Sequence, residues 1–271
     1  MLRFVTSGKN TRIAVRVAGE PDSPPIVLVH GWGQSGEVWS AQVDDLARDH
    51  YVLAPDLRGH GESDEPETGY DDPAAWADDL AAVLDLAGSP AIVVGWSYGG
   101  LVVTDYVRER GCVDLAGIVL VGALTEIGRD RPGGVIGPAM RAALPDILSA
   151  DPGVAIPAVM TLTAGMTADP MSGAEIQRAV GRTLRVSPRV RKALFRRDVD
   201  SAEVLAGITV PTLIAHGTED AVVHPSAAEY AAGKIPGALT RWFTAAGHSP
   251  FAERADEFNR ALRELVAGRK G

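Results

Sequence analysis

Short apolar runs rich in β-branched residues recur along this chain, and segments with helical spacing separate them. A continuous apolar run such as 26–29 is typical of a strand that is buried on both faces. Strands that alternate with helices form a mostly parallel sheet with helices on both sides. The sequence therefore predicts an α/β fold whose central sheet has about eight strands, at 2–7, 12–17, 26–29, 51–54, 91–94, 117–121, 212–215 and 240–243.

One helix has clear signals at both ends. Asp72 can cap its N-terminus, Pro73 suits its first turn and Gly88 suits its C-terminal end. The apolar residues between these signals fall on one face of a helix and are Trp76, Leu80, Val83, Leu84 and Ala87. We expect a helix over about 73–87 that packs this face against the sheet.

The strand–helix alternation stops between about residues 124 and 201, where helical segments are interrupted by Pro and Gly. This predicts a first core part (1–124), a helical lid (125–201) inserted between two late strands, and a second core part (202–271). Flexible methionine side chains suit an adaptable apolar pocket, although they could equally pack the lid helices onto the sheet. The lid holds four of the five methionines, namely Met140, Met160, Met166 and Met171.

The strongest chemical signal is Gly-Trp-Ser-Tyr-Gly-Gly at 95–100, between the predicted strand 91–94 and a predicted helix at 101–110. G-x-S-x-G is informative in this context because a tight strand-to-helix turn exposes the serine hydroxyl above the sheet. Glycines at 95 and 99 keep side chains out of the crowded turn. We therefore expect Ser97 to be a nucleophile.

A serine hydroxyl needs a general base, and the base is usually oriented by an acid. His248 follows the predicted strand 240–243, and Asp220 follows the strand 212–215, so both lie at the same edge of the sheet as Ser97. The order Ser, Asp, His along the chain is the one expected for such a sheet. Glu219 and Glu126 are the alternative acids.

The loop His-Gly-Trp-Gly at 30–33 directly follows a buried strand. An oxyanion that forms during acyl transfer needs fixed N–H donors, and the residue after the nucleophile commonly supplies one of them. We expect the backbone N–H groups of Trp32 and Tyr98 to form this oxyanion hole. His30 is expected to make structural hydrogen bonds.

Composition excludes several classes of partner. The net charge is −9 and no dense Lys/Arg cluster is present, which disfavours nucleic acids and anionic membranes. A single cysteine permits no intrachain disulfide, and the sequence has no apolar run long enough for a membrane helix and no signal-peptide pattern. We expect a cytoplasmic protein that needs no cofactor, because neither metal-ligand spacing nor a phosphate-binding glycine pattern occurs.

Five segments, taken together and in this order, resemble the α/β-hydrolase superfamily over nearly the whole chain. They are the loop at 30–33, Asp-Leu-Arg-Gly-His-Gly-Glu-Ser at 56–63, the serine turn at 95–100, His-Gly-Thr-Glu-Asp at 216–220 and Gly-His at 247–248. Within it the chain looks like the bacterial esterases and the cofactor-free haloperoxidases (perhydrolases). Relatives with an Asp or Cys nucleophile differ from this chain, which has Ser97. Many perhydrolases have Pro where this chain has Gly33.

The resemblance implies a serine hydrolase that cleaves carboxylic esters of small or medium apolar acyl groups through an acyl-enzyme on Ser97. The same three side chains also serve lactonases, carbon–carbon bond hydrolases and perhydrolases, which are therefore alternatives. A ligand receptor built on a hydrolase scaffold is an alternative of another class. The expected partner is a small-molecule ester, and the sequence leaves the oligomeric state open.

Overall fold

The computed structural model describes residues 1–268, whose eight strands form one sheet in the order β1-β2-β4-β3-β5-β6-β7-β8. The strands are β1 (Leu2–Thr6), β2 (Arg12–Ala18), β3 (Pro25–Val29), β4 (Tyr51–Pro55), β5 (Ala91–Trp96), β6 (Leu115–Val121), β7 (Thr212–Gly217) and β8 (Leu239–Phe243). β2 pairs antiparallel with β1 and β4, and all the remaining pairs are parallel. The predicted fold class is confirmed.

The central strands are buried on both faces, as their continuous apolar runs predict. In β3, Ile26 and Leu28 belong to one hydrophobic core, while Val27 and Val29 belong to the core on the opposite side of the sheet. Side chains alternate between the faces of a strand, so a strand covered on both sides needs apolar residues at every position. β8 differs because it is an edge strand and four of its five residues are not buried.

Helices cover both faces of the sheet. α1 (Ser40–Leu46) and α11 (Ala255–Ala267) pack on one face, whereas α2 (Pro73–Ala87), α3 (Gly99–Arg110) and α9 (Pro225–Lys234) pack on the other. The remaining helices are α4 (Pro138–Ile147), α5 (Pro152–Ala164), α6 (Gly173–Arg185), α7 (Pro188–Ala193), α8 (Ala202–Ala206) and α10 (Pro250–Glu253), and short 3₁₀ helices lie at Gly8–Asn10, Gly36–Trp39 and Pro132–Gly134. No helix within 1–268 combines the length and apolar character needed to cross a membrane.

Helix α2 has the ends that its sequence predicts. The Asp72 carboxylate accepts a hydrogen bond from the Ala74 N–H, Pro73 is the first helical residue, and Gly88 ends the helix with a φ of 74°. Its predicted apolar stripe is buried. Helix α3 begins at Gly99, two residues before the predicted start.

Between β6 and β7 the chain leaves the sheet and forms helices α4–α8, of which α4–α7 lie before residue 201. We use the name cap for residues 125–201, the boundaries predicted from the sequence. Two isolated β-bridges, Ile127 with Val199 and Ile136 with Val223, lie near the base of this segment. Because β3 and β5–β8 run parallel, the loops that follow them emerge at one edge of the sheet, where ligands of open α/β sheets bind.

Candidate active site

Ser97 lies in the sharp turn between β5 and α3. Its φ is 53°, a left-handed conformation that is uncommon for a residue with a side chain. A Cβ atom at Gly95 would lie 2.7 Å from the Gly99 carbonyl oxygen, and one at Gly99 would lie 2.7 Å from the Val29 oxygen, so the turn requires glycine at both positions. Hydrogen bonds of 3.0 Å from the Ser97 N–H to the Val121 oxygen and from the Leu124 N–H to the Ser97 oxygen hold the strained backbone.

His248 and Asp220 are in direct contact, although 28 residues separate them in the chain. The His248 Nδ1 lies 2.8 Å from Asp220 Oδ2. The second carboxylate oxygen, Oδ1, accepts hydrogen bonds of 2.8 and 2.9 Å from the N–H groups of Val222 and Val223. Burial by itself would raise the pKa of Asp220, but His248 and these N–H donors outweigh it, and the pKa is lowered. The carboxylate is therefore ionised and fixed against the imidazole.

Trp96 connects this pair to the serine turn. Its indole Nε1–H donates a 2.9 Å hydrogen bond to the His248 carbonyl oxygen, and the two rings are 5.4 Å apart. Within residues 1–268 the Ser97 hydroxyl forms no side-chain hydrogen bond, and the contact between Trp96 and His248 links the serine turn to the loop that carries the imidazole. The hydrogen bond between a nucleophile and its base is often long without substrate and tightens when substrate is bound.

The two alternative acids lie in other surroundings. Glu219 is exposed. The Glu126 carboxylate accepts hydrogen bonds from the N–H groups of Gly133 and Ser201 and from the Tyr230 hydroxyl, which gives it a structural role in the cap base. Of the three carboxylates weighed from the sequence, Asp220 is the one in contact with His248.

A second histidine contacts the same acid, which the sequence analysis missed. His216 Nε2 lies 3.3 Å from Asp220 Oδ2 and 3.1 Å from the Val223 carbonyl oxygen. Burial lowers the pKa of His216. Because a carboxylate and a carbonyl oxygen can only accept, Nε2 is the donor in this contact. The sequence signal for this contact was the spacing of four residues between His216 and Asp220 across a tight turn.

The loop that carries Trp32 passes directly against the serine. A Cβ atom at Gly31 would lie 2.9 Å from the Ser97 Cβ and 3.4 Å from its Oγ. Within residues 1–268 no intramolecular acceptor is recorded for the backbone N–H of Trp32 or of Tyr98. The two N–H groups predicted to form the oxyanion hole thus have no intramolecular acceptor among these residues.

Two buried histidines hold this loop. His30 Nε2 accepts a 2.9 Å hydrogen bond from the Leu57 N–H, and His60 Nε2 accepts a 3.2 Å bond from the Gly33 N–H. Burial lowers the pKa of His30 to about 3 and that of His60 to about 4. Both rings are therefore neutral near pH 7, which leaves Nε2 free to accept.

The side chains of Trp32 and Tyr98 attach the cap to the core. Trp32 Nε1 donates a 3.2 Å hydrogen bond to the Arg191 carbonyl oxygen, and the Tyr98 hydroxyl donates one of 3.2 Å to the Leu194 oxygen. Arg197 donates to the Tyr98 hydroxyl and forms a fully buried ion pair with Asp105, with N–O distances of 2.6 and 2.8 Å. Burial raises the pKa of Asp105 to about 6 even beside this guanidinium.

Gln34 makes a further attachment, to cap helix α6. Its Nε2 donates to the Thr183 hydroxyl at 3.0 Å and to the Ala179 oxygen at 3.4 Å, and its Oε1 accepts a 2.8 Å bond from Arg182. Hydrogen bonds therefore join the loop that carries Trp32 and Gln34 to the cap.

The four cap methionines have different surroundings. Met140 and Met166 are buried in the core that also contains Trp32 and Tyr98. Met171 is half-buried, and Met160 on α5 is 49% exposed, so Met160 does not share the buried setting of the first two. Within the described part of the chain, no three His, Cys, Asp or Glu side chains are grouped so that they could hold a metal ion.

Comparisons with known proteins agree with this architecture. The family model described as alpha/beta hydrolase family matches residues 26–261. The chain is 29% identical over 253 residues to the pimeloyl-[acyl-carrier protein] methyl ester esterase of Vibrio campbellii, covering 90% of this chain and 95% of that protein. It is 33% identical over 258 residues to the protein of the same name from Vibrio atlanticus, covering 90% and 93%. The crystal structure of the esterase RhEst1 from Rhodococcus sp. ECU1013 superposes with a TM-score of 0.95 at 44% identity, covering 98% of both chains.

Proposed function

The chain belongs to the alpha/beta hydrolase family, and we propose that it hydrolyses carboxylic esters of small or medium acyl groups through an acyl-enzyme on Ser97. The observation that carries the proposal is the His248–Asp220 pair, in which Nδ1 and Oδ2 are 2.8 Å apart. The His248 ring packs against Trp96, which directly precedes Ser97 in its strained turn. The similar esterases named above support ester bonds as the target.

The proposed reaction has two steps. His248 takes the Ser97 proton as the hydroxyl oxygen attacks the ester carbonyl, and the oxyanion is stabilised by the N–H groups of Trp32 and Tyr98. His248 then gives the proton to the departing alcohol. Water attacks the acyl-enzyme in the same way, which releases the acid and restores Ser97, while Asp220 keeps the imidazole in the required tautomer.

The cap supports a preference for small or medium acyl groups. Met140 and Met166 are buried in the same core as Trp32, and methionine side chains adapt to ligands of different shape. Hydrogen bonds from Trp32, Tyr98 and Gln34 attach the cap to the loop that passes against Ser97 and to the serine turn. A cap attached in this way would limit the length of the acyl chain.

The proposal is tested with p-nitrophenyl esters from acetate to decanoate. The wild type should turn over the shorter esters, and Ser97→Ala should remain folded while kcat falls about 10⁴-fold or more. The matched control is Ser89→Ala, an exposed serine, which should keep full activity. Activity retained in Ser97→Ala would refute the proposal.

The acid assignment is tested separately with Asp220→Asn, which keeps the shape of the side chain but favours the wrong imidazole tautomer. We expect kcat to fall about 10⁴-fold with little change in folding. Glu219→Gln changes the neighbouring, exposed carboxylate and should leave kcat unchanged. Equal losses in the two variants would contradict the role of Asp220.

A further inference from the structure

Within residues 1–268, three arginines are buried almost completely, and one of them has no carboxylate partner there. Arg58 is paired with Asp79, and Arg197 with Asp105. Arg191, on cap helix α7, is 4% exposed and forms no ion pair with any residue in 1–268. Within the same residues its Nε and Nη1 atoms have no hydrogen-bond partner.

A guanidinium that is buried without a counter-charge lowers the stability of the fold. Arginine stays protonated in proteins, and removing its charge from water without a counter-charge carries a large desolvation penalty. Burial lowers the pKa of Arg191, and within residues 1–268 no neighbouring carboxylate offsets this effect. The two other buried arginines each have a buried carboxylate partner. An anion from outside the chain could supply the counter-charge that Arg191 lacks among these residues.

The backbone of Arg191 contacts the loop that passes against Ser97. Its carbonyl oxygen accepts the hydrogen bond from Trp32 Nε1, and the Trp32 ring packs edge-on against Phe195, one turn further along the same cap segment. Trp32 directly follows Gly31, whose Cα faces Ser97. A continuous series of contacts thus connects Ser97, through the loop that carries Gly31 and Trp32, to helix α7.

We propose that Arg191 binds a carboxylate carried by the substrate, so that the preferred substrates are half-esters of dicarboxylic acids. The planar guanidinium with unused N–H donors matches a carboxylate in shape and charge. The ester group would lie at Ser97 and the distant carboxylate at Arg191. This inference rests on the proposed ester hydrolysis at Ser97 and adds the substrate class.

The kinetic test compares p-nitrophenyl hydrogen glutarate, adipate and pimelate with the corresponding monoamides, which have the same length but no charge. The wild type should favour the acid over the amide in kcat/KM. Arg191→Met should reduce kcat/KM for the acid about 30-fold or more, with a much smaller effect on the amide. Arg191→Lys should retain part of the preference. Lys192→Met, an exposed neighbour on the same helix, is the matched control and should retain all of it.

Two thermal measurements do not depend on turnover. Without ligand, Arg191→Met should melt at a higher temperature than the wild type, because it removes an unpaired buried charge. Glutarate should raise the Tm of the wild type but not that of Arg191→Met.

The outcomes separate the two proposals. Equal loss of kcat/KM for acid and amide in Arg191→Met, a lowered Tm of that variant, or no preference in the wild type would overturn the carboxylate site while ester hydrolysis stands. If the wild type hydrolyses neither ester but is stabilised by glutarate through Arg191, the ester proposal fails and the anion site is upheld. If neither hydrolysis nor stabilisation occurs, both fail.

Discussion

Neutral His60 predicts a specific loss of stability in acid. The ring is buried and its Nε2 accepts the hydrogen bond from the Gly33 N–H, next to Trp32. Burial lowers the pKa of His60 to about 4, while in the unfolded chain histidine titrates near 6.5. Between these values only the unfolded state binds the proton. The contribution of His60 is therefore complete above pH 6.5 and is lost as the pH falls towards 4.

The size of this loss of stability follows from the difference between the pKa of His60 in the folded and in the unfolded chain. At pH 5.0, about 1.5 pH units below the unfolded value, the free energy of unfolding should be lower by about 2 kcal/mol on account of His60. His60→Gln can still offer an oxygen to the Gly33 N–H but does not titrate. Its free energy of unfolding should therefore fall by about 2 kcal/mol less than that of the wild type between pH 7.5 and 5.0.

Urea unfolding followed by tryptophan fluorescence at pH 8.5, 7.5, 6.0 and 5.0 measures this difference. His30 is present in both proteins, and burial and the neighbouring His60 lower its pKa to about 3. Repulsion between the two rings requires both to be protonated, which does not occur in the folded protein at pH 5.0 and above. From pH 8.5 to 7.5 the two proteins should run parallel, because His60 is neutral in both the folded and the unfolded state. Parallel curves down to pH 5.0 would refute the reasoning.

Two further substitutions test other contacts. Gly31→Ala should leave the protein folded but lower kcat/KM by about 10- to 100-fold, because the added Cβ displaces Ser97. Ester kinetics together with an unchanged circular dichroism spectrum would show this. Full activity would argue against so close a contact between the two residues. Arg197→Met should lower the free energy of unfolding by about 3–5 kcal/mol, because Asp105 is left buried without its partner. The double variant Arg197→Met/Asp105→Leu should recover most of the lost free energy of unfolding, as measured by urea titration. A double variant that is no more stable than Arg197→Met would contradict this reasoning.

Local sequence signals predicted the elements of the fold and their order. Uninterrupted apolar runs mark buried strands, and the signals at Asp72, Pro73 and Gly88 mark one helix, because each depends on a few neighbouring residues. The position of the candidate site was predicted from the same strand signals. Parallel strands deliver their carboxyl ends to one edge, so the residues just after β5, β7 and β8 were expected to meet there.

Side-chain partners, by contrast, depended on the tertiary structure. Nothing near Tyr98 or Trp32 in the sequence predicts that their side chains hold the cap, since their partners are 96 and 159 residues away. The contact of His216 with Asp220 requires a particular turn geometry as well as the spacing. Arg191 is indistinguishable from its arginine neighbours in the sequence until packing buries it without a carboxylate. The physical reason is the same in each case: hydrogen-bond and charge compensation are settled between segments far apart in the chain, and no local pattern records which segments will meet.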